Sequence, residues 1–218
     1  MGQTWLRHSA GMTTSPVRRR VAGALMTCGV LTLALGGCTS EAPTAGPATT
    51  ARSTGAQVGN ASYTVVSQPT LKPGDPAPAP TGKVVLTLTG DFAQGPEVEL
   101  DLAGLERLGT VEYSVLDKQA EGRRATFRGV LVSTLLQWLG AKDATTMHAV
   151  ALNDYAVDIP VADASTFPLL LATSVDGERM SVERYGPTRF VYPTDGVGLD
   201  PTVYDPRWIW QLKSIEVE

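Results

Sequence analysis

"LLLATSVDGERMSVERYGPTRFVYP", Leu169 to Pro193, decides how the folded part of this chain is read. It opens as an apolar run of strand character and reaches Asp176-Gly177, a dipeptide favoured in tight turns between strands. A polar returning edge follows. The segment then passes "GPT" and enters a second apolar strand, "RFVYP", which Pro193 stops because it has no N–H for a ladder. Arg189 enters that strand. An arginine among apolar residues needs an anionic partner or hydrogen bonds. The partner is either an acid of the chain, giving a structural ion pair, or an anionic ligand.

Working outward, the pattern stays strand-rich. "VVLTLTG" alternates and ends at Gly90. "EVELDLAGLERLG" predicts a strand from Glu97 and a short helix with Leu102, Leu105 and Leu108 on one side, stopped by Gly109. "TVEYSVL" alternates again, and "ATFRG" is a short strand into Gly129. "VLVSTLLQWLG" predicts a helix with Leu131, Leu135, Leu136 and Leu139 inward, ended by Gly140. "TMHAVALNDYAVDIP" predicts two strands joined at Asn153-Asp154-Tyr155, where Asn and Asp favour a turn. That turn is a candidate pocket element, or simply a turn whose tyrosine packs. "RWIWQLKSIEVE" predicts a closing strand with Trp208, Trp210 and Leu212 on one face. Many strands and few short helices define an α+β, mainly β domain over residues 83–218.

The N-terminus has a different character. Arg7, Arg18, Arg19 and Arg20 precede an uncharged run, Val21 to Gly37, as in a secretory signal peptide covering residues 1–37. The arginines also allow a twin-arginine reading, but no Phe-Leu pair follows them. The 17 uncharged residues lie at the short edge for spanning a bilayer. Residues 38–82 read as a linker: seven prolines fall between Thr39 and Gly82, with many Ala, Thr, Ser and Gly. Closely spaced prolines favour extended polyproline II. Within it "ASYTVVSQ" either pairs as a strand or stays disordered.

Charge and residue inventory exclude several chemistries. The whole chain carries a net charge of −4, and residues 38–218 alone hold 14 basic and 22 acidic side chains. An acidic domain with no basic face does not suit nucleic acid. The chain has two cysteines, Cys28 and Cys38, so the domain itself contains none. Its one histidine, His148, lies in a strand pattern and reads as structural. A zinc site built on Cys and His needs several such ligands, and no nucleophile elbow, P-loop or GxGxxG motif is present. Asp195, Asp200 and Asp205 sit in a Gly- and Pro-containing loop that reads as solvated. No metal ligand set is identified.

Two resemblances add to this. Leu35-Gly36-Gly37-Cys38 resembles the lipobox of bacterial lipoproteins, which implies cleavage before Cys38 and its acylation. Several acyl chains make a stable anchor without a transmembrane helix. The implied location is the cell membrane, on its extracytoplasmic face. The order and spacing of "LTLTG", "FRGVLVSTLLQWLG", "ALNDYAVDIPVADA", the opening segment and "RWIWQLKSIEV" resemble the oxidoreductase molybdopterin-binding domain, the fold of sulfite oxidase and its bacterial relatives. This resemblance implies a molybdopterin cofactor, with Arg189 and Arg207 as contacts to its anionic phosphate. In catalytic members a cysteine thiolate binds molybdenum, a soft-ligand site. Here the corresponding region, "TVEYSVLDKQAEGRRATFRG", has no cysteine; Ser114 or Asp117 stands near that place. The position of a cofactor-contacting lysine in the closing strand is Trp210. The expected function is therefore a membrane-attached, non-catalytic module that binds a small anionic ligand or a protein partner. The alternative is a molybdopterin-dependent oxidoreductase without a protein thiolate.

Overall fold

The computed structural model describes the backbone of residues 53–58 and residues 61–118, 122–195 and 197–218 in full. The signal-peptide, lipobox and Cys38 expectations lie outside them. Among the described residues no helix is long and apolar enough to cross a membrane.

Two sheets share one core. The larger contains β1 (Ser53–Val58), β2 (Ala61–Ser67), β5 (Thr110–Asp117), β6 (Arg123–Leu131), β9 (Leu170–Val175), β10 (Glu178–Arg179) and β11 (Arg189–Val191). All its pairings are antiparallel. The smaller runs β4 (Glu97–Asp101), β3 (Val84–Gly90), β12 (Leu212–Val217), β7 (Thr146–Ala151), β8 (Ala156–Pro160), in that spatial order. Only β12 with β3 is parallel in it. Four short helices complete the mainly β domain: α1 (Leu102–Glu106), α2 (Val132–Leu139), α3 (Val161–Thr166) and α4 (Pro201–Tyr204).

The segment 169–193 folds as its pattern requires. β9 turns at Asp176-Gly177 into β10, leaves the sheet, and returns as β11 on the same side of β9. Val175 and Ser174 therefore pair with β10, while Ala172, Leu171 and Leu170 pair with β11. On the other side of β9 lies β6, and the approach there is tight. A Cβ at Gly129 would stand 2.1 Å from the Leu171 carbonyl oxygen, so only glycine fits. Gly140, at φ 72°, ends α2 in the left-handed conformation, as predicted. The α2 face of Leu135, Leu136 and Leu139 is buried as predicted, whereas Leu131, expected on the same helix, ends strand β6 and is buried there.

Folded structure starts well before Lys83. β2 pairs with β5, resolving the strand-or-disorder alternative for "ASYTVVSQ" as a strand. Leu71 is buried, and the Asp75 carbonyl accepts hydrogen bonds from the Trp138 indole (3.1 Å) and the Gln94 amide (3.3 Å). The Asp101 carboxylate, capping α1 through Gly104, also accepts from the backbone N–H groups of Thr81 and Gly82, 2.7 Å each. These backbone hydrogen bonds draw its pKa down to about 2. So the expectation of a linker through Gly82 fails for its C-terminal part. Proline-rich composition predicts an extended chain, and here the extended chain lies on the core through one leucine and a few carbonyl contacts.

The closing strand is shorter than predicted. A 3₁₀ turn, Asp205–Arg207, precedes it, and β12 starts only at Leu212. Trp208 and Ile209 are consecutive and both buried, unlike the predicted split into one packed and one open face. Gln211 has φ 51°, ending any strand continuity between Trp210 and Leu212. The acidic loop also contains α4. Its Asp200 caps Thr202 and Pro201 holds its first turn, a start signal legible in "LDPTVY" but read as loop. His148, read as structural, is a half-exposed strand residue whose Nδ1 lies 2.6 Å from Asp158 on the neighbouring strand.

Candidate functional site

Arg189 begins β11, and Asp117 ends β5. Two strands, β6 and β9, separate them in the sheet. The arginine crosses the gap: its Nη1 donates to Asp117 Oδ2 at 3.2 Å, with both side chains at 5% exposure or less. Phe127 of β6 lies under the guanidinium at 5.0 Å. Trp208 (5.6 Å) and Tyr185 (5.9 Å) stand around it. Each ring offers a negative π-face to the cation. Burial pulls the Arg189 pKa below its ordinary value, and the Asp117 charge opposes that. Of the two open readings of Arg189, the structure supplies the internal ion pair. Of the two positions near the absent thiolate, it is Asp117 that meets Arg189. Ser114 instead pairs with the Thr126 hydroxyl at 2.7 Å, across β5 and β6.

A cavity of about 440 Å³ opens beside this pair, lined among others by Arg123, Asp176, Glu178 and Arg184. Its charges are largely paired as well, Arg123 with Asp176 (2.9 Å) and Arg184 with Glu178 (3.1 Å).

Arg207 is directed to a different partner. Its Nη1 donates to Asp163 Oδ2 at 2.7 Å, and the Tyr192 hydroxyl donates to the same oxygen at 2.8 Å. Tyr204 lies against its guanidinium at 5.1 Å. Burial, then the neighbouring Asp163 charge, holds the Tyr192 hydroxyl far above the ordinary range. The two arginines predicted to share one anionic ligand thus hold two separate internal carboxylates.

The "NDY" turn divides in two. Asn153 Oδ1 accepts from the Tyr155 backbone N–H at 3.2 Å, an Asx turn. Asp154 faces Lys213, 2.7 Å away, whose hydrogen bond and charge lower its pKa. Asn153 and Tyr155, by contrast, line a cleft of about 300 Å³ with Asp205, Pro206, Trp208 and Trp210. The Tyr155 hydroxyl donates to the Pro206 carbonyl at 3.0 Å and fixes one wall. Trp208 joins the two places, since it both contacts Arg189 and lines this cleft. Trp208 and Trp210 escaped sequence reasoning as site residues because a strand pattern assigned them to one packed face.

With this geometry in place, the comparisons with known proteins define the class. The profile of the oxidoreductase molybdopterin binding domain matches residues 99–216, more than half of the chain. The chain belongs to that family. Among solved structures it is similar to the sulfane dehydrogenase SoxCD from Paracoccus pantotrophus, at 14% identity and a TM-score of 0.49. The match covers 74% of this chain and 48% of that one, so this chain spans about half of its length. No curated protein matches.

The residues present do not fit a molybdenum cofactor held as in the catalytic members. The sulfite oxidase-like members that the sequence resembles hold molybdenum with a soft cysteine thiolate, and both cysteines of this chain lie outside the described domain. Of the two residues that the resemblance sets near that ligand's place, Asp117 is a hard carboxylate already engaged by Arg189. The two arginines expected to neutralise a phosphate are each neutralised by an internal acid. Among the described residues no group of three or more His, Cys, Asp or Glu is arranged to hold a metal ion.

Proposed function

We propose that this protein is a lipid-anchored, extracytoplasmic binding module that keeps the molybdopterin-binding fold without metal catalysis. The observation that carries the reading is the buried Asp117–Arg189 pair. It engages the carboxylate of Asp117, one of the two residues that the resemblance sets near the absent thiolate, and it removes one cation from service to a phosphate. A buried charge pair of this kind is strongly coupled, because losing either partner leaves an uncompensated charge. The pairing of Arg207 with Asp163 points the same way. Of the two partner classes that the sequence suggests, both pairings favour a partner not recruited by bare positive charge over a small anion.

The membrane attachment rests on the lipobox-like Leu35-Gly36-Gly37-Cys38. Cleavage there leaves an acylated N-terminus and an acidic domain held outside the membrane. Cys38→Ala is expected to release the protein or leave it unprocessed; unchanged attachment and mobility would refute the anchor.

Family membership over residues 99–216 supports a second reading, a molybdopterin-dependent oxidoreductase without a protein thiolate. Molybdenum and pterin content of protein purified from its own host separates the two. The binding-module reading expects neither in stoichiometric amount, and a one-to-one content of both would replace it by the second.

A further inference from the structure

The three aromatic residues at the "NDY" cleft sit in an unusual backbone setting. Four non-glycine residues among those described have positive φ: Asp154, Asp176, Tyr185 and Gln211. Three of them meet around Trp210. Asp154 precedes Tyr155 in the cleft wall, Gln211 follows Trp210, and Tyr185 rests its ring on Trp210 at 5.2 Å. Such conformations carry strain and persist where the surroundings over-determine them. The surroundings do so here. Gln211 N–H donates to the Tyr185 carbonyl at 3.2 Å, and its side-chain amide donates to the Val182 carbonyl at 2.7 Å. The Leu152 N–H donates to the Gln211 carbonyl at 2.8 Å. The effect is to hold apolar surface outward. Leu152, Tyr155, Val182 and Tyr185 are four of the six large apolar residues exposed among those described, with Tyr155 at 44% and Tyr185 at 38%. Apolar surface gathered around a formed cleft marks a binding site more often than chance exposure does.

The occupant is constrained by charge and by size. Asp205, the one carboxylate in the cleft wall among the described residues, is held by Lys118 at 2.8 Å. Asp154, at the adjoining turn, is held by Lys213 at 2.7 Å. Among the described residues, the carboxylates at this cleft are therefore compensated before a ligand arrives. What remains is a set of aromatic rings with uncharged polar groups at the rim, the Asn153 amide and the Tyr155 hydroxyl oxygen. A volume of about 300 Å³ is at the small end for ligand pockets and too small for a folded element. We propose that this cleft binds a neutral sugar ring of a glycan, its apolar face against Trp210 and Tyr155 and its hydroxyls toward Asn153. The chemistry is an amphipathic ring on amphipathic aromatics, in which the rings supply area at low entropy cost. The inference rests on the reading of the domain as a binding module.

The test uses the full chain purified from its host, after its metal content has been measured. Neutral hexasaccharides (cello-, malto-, manno- and chitohexaose) and their uronic-acid counterparts are titrated while tryptophan emission and heat are followed. At least one neutral series is expected to bind, and to do so more tightly than the charged series. Trp210→Ala is expected to weaken binding about tenfold, with a similar loss in Tyr155→Ala. Thermal unfolding verifies that each variant is folded, and Trp210→Phe should recover part of the affinity. No binding by any neutral series to folded, metal-free protein would overturn the inference while leaving the binding-module reading intact. So would equal preference for the charged series, or binding unchanged in both alanine variants. Stoichiometric molybdenum would instead overturn the reading on which the inference rests.

Discussion

The two ends of Trp208 show opposite uses of one fold. At one end Arg189 and Asp117 close on each other under three aromatic rings, with almost no exposure. At the other end Tyr155 and Trp210 stand open around a cleft whose charges are already paired. The first region is a charge pair enclosed as part of the core. The second has apolar surface that folding alone would have covered. Removal of water explains the difference: a buried charge must find its partner inside the molecule, whereas an exposed aromatic ring can wait for one.

The largest effect should come from breaking the closed end. Asp117→Ala leaves Arg189 buried without its carboxylate and is expected to cost about 3–5 kcal/mol in denaturant unfolding. Replacing both partners, Asp117→Leu with Arg189→Met, should recover most of that loss, since an apolar pair of similar volume often substitutes well. A double variant no better than Asp117→Ala would show that the pair is not the reason for the loss. Next in size is Arg207→Met. Asp163 would keep its hydrogen bond from Tyr192 but lose its cation, at an expected cost of about 1–3 kcal/mol. Trp210→Ala lies below these. It should change stability by about 1 kcal/mol, the scale of one aromatic contact with Tyr185, while binding at the cleft weakens about tenfold. A stability loss matching Asp117→Ala would make the open end a second core.

Much of this was legible in the chain and some was not, and the division has physical causes. Strands β3, β5, β7, β8 and β9 followed directly from alternation and turn residues, and α2 from its leucines and Gly140. Arg189 was singled out because an arginine in "RFVYP" cannot be left unpaired. Its partner was not legible, since Asp117 lies 72 residues away in sequence and meets it across two intervening strands. Period-2 spacing in "RWIWQL" misled because the backbone turns at Gln211, a residue type that gives no warning of positive φ. The proline-rich approach to Lys83 misled because composition carries no information about Asp101, whose carboxylate pins Thr81 and Gly82 from 20 and 19 residues away.

Two smaller effects depend on pH. Asp101 has its pKa drawn down to about 2 by backbone N–H groups. A depressed carboxylate stabilises above its unfolded pKa and loses that contribution as pH falls through the folded value. Limited proteolysis near residues 80–83 should therefore stay slow at pH 5 and accelerate toward pH 2, and Asp101→Asn should be cut faster at neutral pH. Slow cleavage in both cases would mean that the Pro-rich approach is held by something else. Smallest of all is His148. The Asp158 hydrogen bond raises its pKa, so its contribution is full below the unfolded value of about 6.5 and fades as pH rises through the folded one. On an exposed pair the change in Tm between pH 5 and pH 8 should be slight, and absent in Asp158→Asn.

The central claim is that Arg189 is engaged internally and that the domain does not carry the metal cofactor of its catalytic relatives. Molybdenum and pterin content of the protein, purified from its own host without chelators, tests it most directly. The account predicts substoichiometric amounts of both, unchanged when Arg189 is replaced by Met. One molybdenum and one pterin per chain, lost in the Arg189→Met variant, would contradict it.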